Sequence, residues 1–147
     1  MTKYKTYRDL EVYQIAHKIG VEIHHFSLRL PKYELYETGS QVRGSSKSMS
    51  ANIVEGFSRR KYKAEFVRFL IFAHASCNET IEWMEYIRDC YPNLKGDITD
   101  ILSKLDELGR KLNRFIAAVE KGTNNPKSHI AYPISPIGRQ KGVHNVR

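Results

Sequence analysis

Four segments of this chain carry apolar residues at steps of three and four, and this spacing constrains the fold more than any other feature. The first stripe is Val12, Ala16, Ile19, Ile23, Phe26 and Leu30. The second is Val42, Ser46, Met49, Ile53 and Phe57. The third is Phe66, Phe69, Leu70, Ala73, Cys77, Ile81, Met84 and Ile87. The fourth runs through Ile98, Ile101, Leu102, Leu105, Leu108, Leu112, Phe115, Ile116 and Val119. Each is the period of an amphipathic helix. No segment alternates as a strand does, and no internal repeat is visible.

The punctuation between the stripes agrees with four helices. Asp9 is a candidate N-cap for the first helix and Pro31 its stop. Pro92, Asn93 and Gly96 mark the third turn, and Gly122 is a C-terminal stop. The second segment is unusual, because residues 39–51 are rich in Gly, Ser and Ala. Such residues have poor intrinsic helix propensity. A helix built from them is held by tertiary packing and lets a neighbour approach closely. Short connections then imply an all-α fold, an antiparallel up-down-up-down four-helix bundle over residues 1–121. Residues 122–147 hold three prolines, three glycines and no acidic residue. They read as a flexible basic tail.

The third segment holds more apolar surface than one bundle face needs. Between Phe66 and Ala73 only Arg68 is polar. Val67, Ile71 and Phe72 extend the apolar surface beyond the stripe, which marks a candidate oligomer interface. The alternative is a wide core face.

Net charge is +8 with an isoelectric point near 9.5, and the placement of the charge matters more than its sum. In the expected topology one end collects Lys3, Lys5 and Arg8, then Arg59, Arg60, Lys61 and Lys63. The same end receives Arg110, Lys111, Arg114 and Lys121, followed by Lys127, Arg139, Lys141 and Arg147 of the tail. The opposite end holds Glu34, Glu37, Asp89, Asp97 and Asp100, offset in part by Arg29, Lys32 and Lys95. A one-sided basic end is what a polyanion contact requires. Tyr62 lies inside the basic run, either to stack on a base or to lid the bundle end. A solvated turn that happens to be basic is the plainer alternative.

The run Ser50-Ala51-Asn52-Ile53-Val54-Glu55-Gly56-Phe57-Ser58-Arg59, followed by Glu65-Phe66-Val67-Arg68-Phe69-Leu70, resembles the signature of the 23S rRNA intervening-sequence protein family. Asp9-Leu10-Glu11-Val12-Tyr13, Leu30-Pro31, Ser40-Gln41-Val42-Arg43 and Ala75-Ser76 with Glu79 support it in order. Met49 stands near the place where the family pattern often has a proline, and the tail has no counterpart in that pattern. The resemblance implies an antiparallel four-helix bundle assembled as a ring-shaped homopentamer with no known catalytic activity. A similar fold is used by the accessory protein of diversity-generating retroelements, a basic pentamer that engages a reverse transcriptase and its RNA.

The motif also has a structural reading. In a helical hairpin centred near Lys61, Glu55 faces Val67 and Arg68, and Arg43 faces Glu79. Arg43, Asn52, Glu55, Arg68 and Glu79 are then expected as partly buried polar ties that fix helix register, with the Asn52 amide satisfying backbone or serine groups. The alternative is that Arg43 and Arg68 face a ligand.

Little in the sequence points to catalysis or to a cofactor. Glu22 and His25 have the Glu-x-x-His spacing of a di-iron bundle, yet no second such pair exists to complete a site. His17 and His24 stand seven residues apart, too far for a simple chelate, and His74 is alone. Ser58-x-x-Lys61 falls in an expected turn. No phosphate-binding glycine loop is present. Cys77 and Cys90 are too far apart on one helix to pair and read as two small buried residues of a reducing compartment. The N-terminus shows no signal-peptide pattern and no stretch is long enough to span a membrane, so a cytoplasmic protein is expected. The expected function is therefore non-enzymatic, with no metal and no cofactor. RNA or another nucleic acid is the first candidate partner. A protein partner such as a reverse transcriptase is the second, and an enzyme with a site between subunits is a distant third.

Overall fold

The computed structural model describes residues 4–122, and the tail expected beyond Gly122 lies outside them. Five α-helices follow in order: α1 Glu11–Ser27, α2 Lys32–Leu35, α3 Thr38–Ser58, α4 Lys63–Cys90 and α5 Lys95–Lys121. The four long ones form the antiparallel bundle. α1 lies beside α3 and α5, and α4 closes the square by packing on the same two helices. Among the described residues there is no strand. No described helix is long and apolar enough to cross a membrane.

The helix ends depart from the expected punctuation at two points. Asp9 does not cap α1. Its carboxylate accepts from the backbone N–H groups of Lys5 and Thr6, at 2.8 and 3.0 Å, and closes a 3-10 turn over Tyr7–Asp9. Those two bonds hold the Asp9 carboxyl below its ordinary pKa. Leu10 takes the cap position of α1 instead, and its side chain is buried. At the other end α1 stops at Ser27, before Pro31. A residue ahead of proline disfavours helical geometry. The chain leaves the helix early and turns, so Leu30 still reaches the core.

α3 forms despite its small residues because both flanks use them. On one side Gly20 of α1 packs on α3, where a Cβ would be in ordinary contact at 3.6 Å from the Ser46 carbonyl oxygen. On the other side Thr80 Oγ1 donates to Ser45 Oγ at 2.9 Å, and Ser48 Oγ lies 2.9 Å from Ser76 Oγ. Ser45 and Ser46 are buried, and each hydroxyl also donates to a carbonyl one turn back. No buried polar side-chain atom of the described residues lacks a partner.

The apolar stripes meet in one core, with Ile23, Val42, Met49, Ile53, Leu70, Ala73, Met84, Ile98, Leu105, Leu108 and Leu112 essentially inaccessible to solvent. Phe66 joins Phe57 and Phe115 edge-to-face at 6.2 and 5.9 Å, sealing the end near the chain termini. Cys77 belongs to this core, donates to the Leu105 carbonyl, and burial pushes its thiol up to about 11. Cys90 is exposed at the end of α4, which corrects the expectation of two buried cysteines. It sits on the last turn, beyond the reach of the apolar stripe. Gly122 ends α5 at φ 71°, a left-handed cap that glycine adopts without a side-chain penalty.

The glycines of α3 provide a direct test of the packing. A Cβ at Gly56 would meet Phe69 Cβ at 3.0 Å and the Phe66 carbonyl at 3.2 Å, while one at Gly44 meets nothing within 4 Å. Gly56→Ala is expected to cost about 1–3 kcal/mol through overpacking. Gly44→Ala is expected to stabilise by about 0.5–1 kcal/mol through helix propensity. Thermal melts of the two variants should shift in opposite directions.

Candidate nucleic-acid interface

The basic end is assembled from three separate stretches: the C-terminus of α3 with its turn into α4, the turn ahead of α1, and the last turns of α5. Its organiser is a carboxylate that the sequence pattern does not single out. Glu65, in the first turn of α4, is 5% exposed. Its Oε1 receives Arg59 Nη1 at 3.3 Å and Arg68 Nη2 at 3.2 Å. Arg59 also donates to Glu55 Oε2 through Nε at 3.0 Å and lies 4.9 Å over the Phe69 ring. One buried charge is thus shared by two arginines, and the helix N-terminus adds favourable field. The available signal in the sequence is a Glu in a helical first turn three residues ahead of an Arg.

This pairing divides the candidate residues into two groups. Arg59 is committed to Glu55 and Glu65. Arg110 pairs with Asp106, and Lys111 reaches Glu11 at 3.3 Å and Glu107 at 4.0 Å. Arg60, Lys61, Lys63, Arg114 and Lys121 form no ion pair among the described residues. Arg60 is held in place all the same: it donates to the Phe57 carbonyl at 2.9 Å and stacks 3.9 Å from the Phe57 ring centre. Lys61 is exposed beside Tyr62, whose ring is 5.8 Å away and more than a third accessible. Arg114 rims a cleft of about 240 Å³ with Tyr4, Leu10, Glu11 and Phe115. Lys3, Lys127, Arg139, Lys141 and Arg147 lie outside the described residues.

The expected polar ties form different pairs. Arg43 does not reach Glu79. It turns to the other side, donating to Ser27 Oγ at 3.0 Å and to the Leu35 carbonyl at 2.8 Å, and so pins α3 to α1 and α2. Glu79 instead accepts from Trp83 Nε1 at 3.1 Å. Glu55 bonds Arg59 one turn along its own helix, and Arg68 bonds Glu65. The Asn52 amide does satisfy a serine, donating to the carbonyl and Oγ of Ser48 at 2.9 Å. The reason for the different pairing is geometric. Helical side chains lean toward the N-terminus of their own helix. On α3 that is away from the turn and on α4 toward it. Ser45 therefore meets Thr80 and Ser48 meets Ser76, about two to three residues further along α4 than a symmetric hairpin provides.

Of the interface candidates, Ile71 is 49% exposed, while Val67 and Phe72 are half-buried. Val67 and Ile71 line a shallow, mainly apolar depression of about 520 Å³ with Lys63, Ala64, Arg68 and Glu120. Phe72 stacks edge-to-face on Phe69 at 5.4 Å beside the Arg68 guanidinium.

The family model of the 23S rRNA-intervening sequence protein matches residues 8–114. The chain belongs to this family. Comparison with curated proteins and with solved structures returns no match. The family match takes in the Arg59–Lys63 turn and Glu65 and ends at Arg114, so Lys121 and residues 123–147 lie beyond it.

Glu65→Gln removes the shared charge and leaves two arginines against a neutral, buried amide. It is expected to cost about 1–3 kcal/mol. Glu55→Gln breaks a pair at the surface and should cost less than about 0.5 kcal/mol. Urea unfolding midpoints of the two variants measure the difference directly.

Proposed function

We propose that this member of the 23S rRNA-intervening sequence protein family is a non-catalytic, cytoplasmic RNA-binding protein that works as a homo-oligomer, a ring of five. The observation that carries the RNA reading is the set Arg60, Lys61, Lys63, Arg114 and Lys121. These cations share one end of the bundle and have no carboxylate partner among the described residues, whereas their neighbours Arg59, Arg110 and Lys111 do. A row of uncompensated cations on a rigid end is suited to a phosphate backbone, whose counterions are released on contact. Arg60 and Tyr62 add planar faces on which an unpaired base can stack.

The oligomer reading is supported by Val67 and Ile71. They leave an apolar strip on α4 that the bundle itself does not cover. The repeated display of the same basic end around a ring would multiply weak interactions with one RNA chain.

Binding of single-stranded RNA is expected to weaken as salt rises. Changing Arg60, Lys61, Lys63 and Arg114 together to Gln should lower the log–log salt slope by about 0.7 for each phosphate that is no longer neutralised. Filter binding at several salt concentrations measures both. Salt-insensitive or absent binding would sink the RNA reading and leave an acidic protein, such as a reverse transcriptase, as the partner of this end. For assembly, light scattering should give the mass of a ring for the native chain and a smaller species for Ile71→Asp. A native monomer would end the oligomer reading.

A further inference from the structure

A second cationic feature lies on the flank where α1 meets α3. His17, Gly20, Val21 and His24 of α1, with Lys47 and Ser50 of α3, line a groove of about 480 Å³, and His25 completes its rim. That volume is in the range of small-molecule sites, about 300–1,000 Å³. Gly20, buried against the Ser46 carbonyl, adds no side chain to the groove. Val21, 45% exposed, provides an apolar floor.

The charge in this groove is of one sign. Lys47 Nζ lies 3.2 Å from His24 Nδ1. A lysine ammonium only donates, so in this contact the ring nitrogen is the acceptor. Burial, then Lys47, His25 and Arg43, hold the His24 pKa below its ordinary value. Among the described residues, no carboxylate lines the groove. Glu22, the nearby acid on α1, points instead to Lys104 on α5 at 2.9 Å. Lys47 forms no ion pair among the described residues. A metal ion does not suit the site, since an ammonium already occupies the ring nitrogen. An anion does, because it would relieve Lys47 and allow His24 to protonate. The floor and the imidazole planes, with His24 and His25 edge-to-face at 5.4 Å, suit a planar base beside that anion.

We infer that the α1–α3 groove binds one nucleotide unit of single-stranded RNA, its phosphodiester on Lys47 and His24 and its base on Val21 and the imidazoles. Ser50 lies eight residues before Ser58, about 12 Å along α3, so one strand can span the groove and the basic end. The inference extends the RNA reading and uses it for the choice of polymer. Because the anion favours the imidazolium, binding raises the His24 pKa, and affinity grows as pH falls through the histidine range.

The test is a titration with uridylyl-uridine, a dinucleotide whose phosphodiester keeps one charge over this range, followed by NMR of the histidine ring protons. The dinucleotide should shift the His24 signals, raise its titration midpoint, and bind up to about tenfold more tightly at pH 5.5 than at pH 7.5. His24→Gln should abolish that pH dependence and Lys47→Gln should weaken binding at both pH values, while Lys95→Gln, exposed at the start of α5, changes neither. Unmoved His24 signals at pH 5.5, or unchanged binding by both groove variants, overturn the inference. Salt-dependent binding of longer RNA with a silent His24 overturns the groove alone. A responsive His24 without binding of longer RNA supports the groove and overturns the basic-end reading.

Discussion

The close approach of α3 to both of its neighbours is the constraint on which the rest of the structure depends. Gly, Ser and Ala are weak choices for an isolated helix when they come in such a run. Here Gly56 allows the α4 backbone to come near at Phe66 and Phe69, while Ser46 packs its carbonyl against Gly20 of α1. The hydroxyls of Ser45, Ser48, Ser76 and Thr80 then bond across the seam with α4. A helix with larger residues on those faces would be more stable alone and would hold its neighbours further apart. Gly39 leaves room for the Arg43 guanidinium that pins α2, since a Cβ there would lie 3.2 Å from Arg43 Nη1 and 2.9 Å from the Glu34 carbonyl oxygen.

The turn from α3 to α4 converts this packing into a charge pattern. Glu65 is buried by the chain reversal and draws Arg59 and Arg68 inward, where both guanidiniums also lie over Phe69. Removing one partner from such a cluster leaves uncompensated buried charge, so the cluster resists rearrangement. Among the described residues the cations beside it have no such partner, and the same turn that neutralises Arg59 displays Arg60 and Lys61. Arg60 is presented as a fixed group rather than a loose one, since Phe57 holds it by both its carbonyl and its ring.

The four long helices were legible because each stripe repeats over several turns, and burial enforces that repeat. The polar pairs were less legible. A hairpin drawn symmetrically about Lys61 ignores the lean of side chains toward each helix N-terminus, and that lean redirects Arg43 and Glu79. Glu65 is inconspicuous because a Glu next to Phe66 looks like an ordinary solvated residue; only the fold of the turn shows that it is covered. The groove histidines are inconspicuous for a related reason. His17 and His24 are poorly spaced for a chelate, and Lys47, the residue that gives them a shared role, comes from a different helix.

The sequence by itself determined the helical class, the order and polarity of the helices, and the gathering of basic segments at one end. These depend on local periodicity and on short connections, which any antiparallel arrangement inherits. Only the tertiary structure decided which charges are spent and which remain. That outcome turns on distances of a few ångströms between helices and on which carboxylate the turn buries, and neither is written in the spacing of residues along the chain.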